Sequence, residues 1–385
     1  MILFKIIDII LFCCFSLMVL YILILGIASF FKPSRKLKEP SRLNKFVVLF
    51  PAYGEDQVIV NSVTSFLKQD YPEDLFDVIV ISDHMKEETN NHLRQLPIDL
   101  LIATYEDSSK AKALNLAADY LKDKQYDILV IMDADNVTED NFLLQINKAY
   151  EAGDRAIQAH RTAKNTNTSV AVLDAVSEEI NNAIFRAGHV NLGLSSSLIG
   201  SGMAFDYQWF MANVGFLQTA GEDRELEMLL LKSKIRVSYL QDTYVYDEKT
   251  QNLQGFKNQR KRWQAMQFTS LGRSIVDFPK ALFQGNFDYC NKIIHWMILP
   301  RSVMLLLLPL ISIIVSFINL YASIKWWAIT WIFYAIIIAV IPTYLCNKKL
   351  FKALAKVPVM AFLMCMNFLK LREGKKFIHT EHGVE

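Results

Sequence analysis

Apolar positions fall into long, nearly unbroken blocks toward both ends of the chain and into short bursts between them. That pattern predicts membrane-embedded ends around a water-facing middle. From Ile6 to Phe31 only Asp8 interrupts the apolar run. Such a run can cross a hydrocarbon layer of about 30 Å and is too long for the core of a secretion signal. A second block runs from Ile293 to Leu320 and a third from Trp326 to Leu345, with Tyr321-Ala322-Ser323-Ile324-Lys325 between them expected to form a tight reversal. Ala353 to Leu369 is apolar but short and carries Lys356 and Pro358, so a half-span, an interfacial helix and a tilted crossing all fit it.

The middle of the chain alternates two periodicities. Phe46-Val47-Val48-Leu49-Phe50 reads as a buried strand, and Glu55 to Gln69 as a helix that stops before Tyr71-Pro72. Asp77 to Ser82 and Ile98 to Thr104 read as strands, with Lys86 to Gln95 and Lys110 to Leu121 as the helices between and after them. Ile128 to Met132 is a further strand and runs directly into Asp133-Ala134-Asp135. Strand and helix in turn predict an α/β domain whose parallel sheet is covered on both faces. Ligands then bind beyond the carboxyl ends of the strands. Tyr53-Gly54-Glu55, Asp83 and the Asp133/Asp135 pair all fall at such ends, which makes them one candidate site.

Charge orients this picture. The 385 residues carry a net charge of only +2, and the basic residues gather beside the apolar blocks and around Arg262, which argues against nucleic acid as a partner. Lys32, Arg35, Lys36 and Lys38 follow the first block, and Lys348, Lys349 and Lys352 follow the third. By the positive-inside tendency both flanks are cytoplasmic, so a multi-pass protein of a bacterial-type inner (plasma) membrane is expected, with its large domain in the cytoplasm. Arg301, inside the second block, either snorkels to the interface or faces a polar tunnel. The five cysteines have no metal-ligand spacing and read as reduced packing residues.

No Gly-x-Gly-x-x-Gly or Walker-type loop follows any strand, so bound phosphates would have to be held by a metal ion and by cationic side chains. Asp133 and Asp135 can place carboxylates on a divalent cation, Mg2+ or Mn2+, although an Asx-turn or helix cap also explains an isolated Asp-x-Asp. Asp223, in Gly221-Glu222-Asp223-Arg224-Glu225, can accept a proton from an attacking hydroxyl or can cap the helix that follows. In Gln259-Arg260-Lys261-Arg262-Trp263 the Arg262 guanidinium suits a diphosphate and Trp263 offers a flat face to a sugar ring; a basic helix lying on anionic lipid is the alternative. Lys110 and Lys112 either reach the donor or form a solvated helix start. Taken together these groups point to sugar transfer from an activated nucleotide donor.

The motifs resemble those of the family 2 glycosyltransferases, the membrane-embedded inverting enzymes that include cellulose, chitin and hyaluronan synthases. The resemblance spans nearly the whole chain. Pro51-Ala52-Tyr53-Gly54-Glu55 is similar to the first nucleotide-contacting strand end, usually with Asn where Gly54 stands. Asp83 matches a carboxylate near the base, Lys110-Ala111-Lys112-Ala113-Leu114-Asn115 the donor-binding helix start, and Asp133-Ala134-Asp135 the metal and diphosphate motif. Gly200-Ser201-Gly202-Met203 resembles the glycine-rich segment beside the acceptor. Gly221-Glu222-Asp223 resembles Thr-Glu-Asp, whose Asp is the general base, with Gly221 in place of Thr. Gln259-Arg260-Lys261-Arg262-Trp263 is an intact Gln-x-x-Arg-Trp, and Phe377-Ile378-His379-Thr380-Glu381-His382 resembles a Phe-x-Val-Thr-x-Lys gating loop. A His-x-x-His metal site and a polar tail are other readings of that last segment.

The resemblance implies a GT-A-like, Rossmann-type mixed-sheet domain flanked by transmembrane helices. It implies donor contacts from Pro51, Ala52, Tyr53, Glu55, Asp83, Lys110, Lys112, Asp133 and Arg262, and a metal held by Asp133 and Asp135. Asp223 is then the catalytic base; Gly202, Glu222, Gln259 and Trp263 face the acceptor, and Thr380 and His382 gate. The expected organisation is a transmembrane helix at 1–31, the cytoplasmic glycosyltransferase domain at 44–265 and interfacial amphipathic helices at 266–292. Two transmembrane helices at 293–345 and a membrane-associated segment with a gating-like tail at 346–385 complete it. The expected activity is inverting transfer of a hexosyl group from a nucleotide-sugar, first a UDP-sugar, to a glycan or lipid-linked acceptor in polysaccharide or glycolipid synthesis. A non-catalytic membrane scaffold and a transporter-associated protein are the rivals.

Overall fold

In a computed structural model of the chain, which describes residues 2–31, 37–219 and 221–369, eight strands form one mixed sheet. In chain order they are β1 (Phe46–Tyr53), β2 (Phe76–Asp83), β3 (Asp99–Ala103), β4 (Ile128–Ile131), β5 (Val137–Thr138), β6 (Ala156–Ala163), β7 (Met203–Asp206) and β8 (Val237–Asp247). Their spatial order is β3-β2-β1-β4-β7-β6-β8-β5. Strands β3, β2, β1 and β4 run parallel, as the alternating pattern predicts. Strand β7 runs antiparallel to both β4 and β6, so the sheet is mixed. The segments Lys32 to Lys36 and Phe377 to His382, with Thr380 and His382, lie outside the described residues.

Period-two burial explains why the parallel strands seat here. Phe46, Val48 and Phe50 of β1, with Val78 and Val80 of β2, face one core, against the helices Ile59–Phe66 and Phe142–Glu151. Val47, Leu49, Ile79 and Ile81 face the other, against Lys110–Leu121 and Glu222–Lys232. Burial on both faces is what makes these strands read as continuous apolar runs. The order matters more than the strand count. From β1 the chain steps to β2 and β3 on one side and then returns to β4 on the other, opening a crevice beyond the carboxyl ends of β1 and β4, where open α/β sheets bind ligands.

Among the described residues three helices are long and apolar enough to cross a membrane: Ile2–Ala28, Arg301–Ile318 and Leu320–Ala339. A bent pair, Lys348–Leu354 with Val357–Phe368, passes the same test jointly at an angle of 53°. Two details differ from the expectation. The block from Ile293 is not one span: Pro300 biases Leu299 away from helix, so Phe287–Met297 stops and a new helix starts at Arg301. Tyr321 to Lys325 is helical, and the reversal is confined to Asn319, whose side chain caps the helix Leu320–Ala339 by accepting from Ala322 N–H at 3.1 Å.

Lys325, which suggested a loop, is accommodated in that helix because its ammonium pairs with Asp8 of the first span. Trp326 Nε1 donates to the other Asp8 oxygen at 2.7 Å. Each charge is the reason the other is tolerated there. Asp8→Asn is expected to destabilise the detergent-solubilised protein by roughly 1–2 kcal/mol, since Lys325 keeps part of its solvent contact. Adding Lys325→Met should recover most of the loss in thermal denaturation; no recovery would show that the two charges act separately.

The first span, the two later spans and the bent pair share a single apolar cluster with Val172, Val176 and Ile180 of the helix Ser169–Asn181. The long apolar helices and the sheet domain therefore pack against each other.

Candidate active site

Each functional group arrives on an element whose local chemistry explains its placement. At the end of β1, Gly54 turns with φ +62°, a conformation that glycine adopts without strain, and its N–H donates to Asp83 O at 3.0 Å. Tyr53 and Asp83 are thereby held side by side, and Asp83, buried, pairs its Oδ1 with His84 Nδ1 at 2.6 Å. After β4 the chain turns at Asp133, whose N–H donates to Asn136 Oδ1 at 2.9 Å. The turn is therefore closed by the Asn136 side chain reaching back, not by an Asx-turn of either aspartate. Asp135 is buried; Asn136 Nδ2 donates to one of its oxygens at 3.2 Å and Glu248 N–H to the other at 2.7 Å.

Ser109 caps the helix Lys110–Leu121, which aims Lys110 at the same turn. Lys110 Nζ contacts Asp133 Oδ1, donates to Gly200 O at 2.7 Å and lies 3.7 Å from Glu222 Oε1. Burial alone would lower its ammonium, but Asp133 and Glu222 outweigh burial and hold it above its ordinary value. Glu222 shows the opposite balance. Burial pushes its carboxyl up to about 7, with Lys110 opposing and Asp223 reinforcing the rise. Asp223 sits in the first turn of the helix Glu222–Lys232, two places past the cap residue, Gly221, and its Oδ1 accepts from Arg224 N–H at 2.8 Å. The expectation that Asp223 caps this helix is corrected, because Gly221 holds the cap position and Asp223 lies within the first turn.

The helix Leu253–Ser274 supplies the next wall. Gln259, Arg262, Trp263, Met266 and Gln267 recur at helical spacing and so share one face, which lines the cavity. Arg260, which also borders the cavity, pairs with Asp174 and lies 4.4 Å over the Trp263 ring, holding the indole in place. A Cβ on Gly221 would come within 3.3 Å of Met266, so the space that a threonine would fill is taken by this helix.

One cavity of about 920 Å3 takes in Pro51, Ala52, Tyr53, Glu55, Asp83, Lys110, Asp133, Asp135, Glu222, Asp223, Gln259, Arg262 and Trp263. Two expected residues are not on it. Lys112 faces outward, donating to Asp107 O at 2.5 Å and lying over the Tyr105 ring, because it is two positions from Lys110 and helical residues at that spacing do not share a face. Gly202 lies behind the wall: it is buried, has φ +62°, and a Cβ there would meet Val245 Cγ2 at 2.7 Å. Gly200, two residues earlier, lines the cavity in its place.

Sequence reasoning missed a cluster of buried charges lining the same space. Glu178 Oε2 is 3.0 Å from Arg161, its Oε1 is 3.2 Å from Arg186, and Lys249 Nζ is 4.0 Å away. Asp247 also pairs with Lys249 and lies 3.5 Å from Arg161. The available signal was the run of acidic residues Asp174, Glu178 and Glu179 inside the mostly apolar helical stretch Val170 to Ile180.

Among the described residues no three His, Cys, Asp or Glu side chains are grouped so as to hold a metal ion by themselves. Asp133 and Asp135 both line the cavity, so a cation held there would need its remaining ligands from a substrate and water.

The switch-point crevice and the sheet order define a glycosyltransferase domain of the GT-A type flanked by apolar helices. Residues 44–265 match the family described as "Glycosyltransferase like family 2", and the chain belongs to it. The mannosyltransferase PcManGT from Pyrobaculum calidifontis, solved in complex with GDP-Man and Mn2+, shares the fold with a TM-score of 0.58 at 16% identity, over 94% of this chain and 98% of its own. S. aureus TarS 1–349 aligns at 16% identity in complex with UDP, over 58% of this chain and 64% of its own, with a TM-score of 0.38. A second TarS 1–349 structure aligns at 14% identity over 86% and 90%, with a TM-score of 0.44; both scores are too low to carry weight. No curated protein matches the chain.

Proposed function

We propose that the protein is a multi-pass inner-membrane hexosyltransferase that moves a sugar from a nucleotide donor, first a UDP-sugar, to a glycan or lipid-linked acceptor with inversion, its catalytic domain in the cytoplasm. One observation carries this reading: Asp133, Asp135, Asp223, Arg262 and Trp263, scattered over some 130 positions of the chain, line one cavity. A divalent cation, Mg2+ or Mn2+, bound by Asp133 and Asp135 supplies positive charge to the diphosphate.

The protein's own groups do the rest. Tyr53 and Asp83, at the ends of β1 and β2, border the nucleoside, with Pro51, Ala52 and Glu55 completing that rim. Lys110 and Arg262 balance charge as the bond between the anomeric carbon and the phosphate oxygen breaks. Asp223 takes the proton of the acceptor hydroxyl as its oxygen bonds to the anomeric carbon from the face opposite the leaving diphosphate, which is why the configuration inverts. Trp263 stacks on the acceptor sugar, with Gln259 and Glu222 beside it. Lys112 takes no part, and Gly202 acts through the shape of the wall.

The purified full chain should release UDP or GDP from at least one member of a panel of nucleotide-sugars when Mn2+ or Mg2+ is present. EDTA should abolish release, and added metal should restore it. Absence of both nucleotide binding and release across the panel would leave a non-catalytic scaffold as the better description.

A further inference from the structure

The cavity does not end at the sugar-transfer site. Beyond Trp263 the same space is walled by Leu305, Tyr334, Ile337, Ile341, Leu350 and Met360, contributed by two spans, the bent helix pair and the turn between. A sugar polymer needs hydroxyl-matching polar groups along its path, whereas this wall is almost wholly hydrocarbon and suits an aliphatic chain.

At the junction of the polar and apolar parts stands Arg301. Its NH2 group donates to Ser177 O at 3.1 Å and to Asn181 Oδ1 at 2.6 Å, and the guanidinium lies 5.7 Å from the Phe185 ring centre. All three partners are neutral. The nearby carboxylates are committed elsewhere: Glu178 to Arg161, Arg186 and Lys249, and Asp174 to Arg260. No carboxylate pairs with Arg301 among the described residues. Nor does its helix help, because the first position of Arg301–Ile318 is at the positive end of the helix dipole. His295, which stacks on the same Phe185 ring at 4.2 Å and lines the cavity, has a buried Nδ1 without a hydrogen-bond partner. A cation without a counter-ion and an unused imidazole nitrogen, placed where a hydrocarbon-lined groove meets a transfer site, are the complement of an anion on an apolar tail.

We infer that the acceptor is a phosphate-bearing lipid, its phosphate held by Arg301 and His295 and its chain lying in the groove between the spans. This deepens the glycosyltransferase reading and rests on it. The acceptor hydroxyl, on a sugar carried beyond that phosphate, then enters from the membrane side, past Trp263 toward Asp223, which takes its proton as its oxygen bonds to the anomeric carbon and the nucleoside diphosphate leaves from the strand ends.

The test uses the full chain in nanodiscs, titrated with a long-chain polyisoprenyl monophosphate, the matching alcohol and phosphatidylglycerol, with binding read by native mass spectrometry. A phosphate-bearing probe should bind at least about tenfold more tightly than the alcohol. Arg301→Gln should reduce that preference to within about twofold, and Arg301→Lys should keep most of it. Ile337→Trp should weaken phosphate and alcohol alike by filling the groove. Whichever of the two phosphate probes shows the Arg301 dependence names the source of the phosphate. Equal binding of phosphate and alcohol by the unmodified protein overturns the inference, as does a preference that persists in Arg301→Gln. Nucleotide binding with Mn2+ is measured on the same samples. If it is intact while the lipid preference is missing, only the acceptor assignment fails; if it is missing, the donor reading fails with it.

Discussion

Asp223→Asn is expected to lower turnover by about 100- to 10,000-fold, the range over which a positioned general base contributes, while nucleotide-sugar binding changes little. The substitution is informative because it separates chemistry from architecture. Asn keeps an oxygen where Asp223 Oδ1 accepts from Arg224 N–H, so the start of the helix Glu222–Lys232 is preserved. Only the capacity to take the acceptor proton is lost. Turnover of the purified variant under saturating donor, set beside calorimetric titration of the nucleotide, gives both numbers. Activity within tenfold of the unmodified enzyme would move the base elsewhere, with Glu222 the next carboxylate on the cavity.

The second large effect falls on stability. Glu178→Gln removes the charge that Arg161, Arg186 and Lys249 share, leaving Asp247 as the remaining carboxylate for Arg161 and Lys249. Breaking a buried ion pair from one side costs about 3–5 kcal/mol, because the orphaned cations stay desolvated. Denaturation of the detergent-solubilised protein should show a loss of that order, and a loss below about 1 kcal/mol would mean that water reaches the cluster. The pH dependence has a definite sign. Burial works to raise the Glu178 carboxyl, yet Arg161, Lys249 and Arg186 hold it well below its ordinary 4.5. A depressed folded-state value contributes stability that is fully present above 4.5 and is lost as pH falls below it, so acid should erode the native protein while Glu178→Gln shows less of that slope.

What could be read from the chain followed locality. Asp133-Ala134-Asp135 was legible because a buried strand ran straight into it, and the Gln259 to Trp263 face because helical spacing alone brings those side chains together. The parallel half of the sheet was visible in unbroken β-branched runs. Strands β6 to β8 were not, since Gln158, His160, Arg161, Gln241 and Asp242 break the apolar alternation where the sheet passes the charged cluster. That cluster joins β6, the helix Ser169–Asn181 and the end of β8, and no local spacing links them. Lys112 and Gly202 fell one element-face away from the cavity for the same reason: motif position gives the neighbourhood, but backbone geometry decides which residue of a pair faces inward.

The apolar seam shared by Val172, Val176 and Ile180 with the first span and the bent pair has a practical corollary. A fragment limited to residues 44–265 would strip the oily cover from the helix Ser169–Asn181, leaving a sticky stripe prone to self-association. The long apolar helices are thus a wall of the cavity rather than a tether, and removing them would open it on one side.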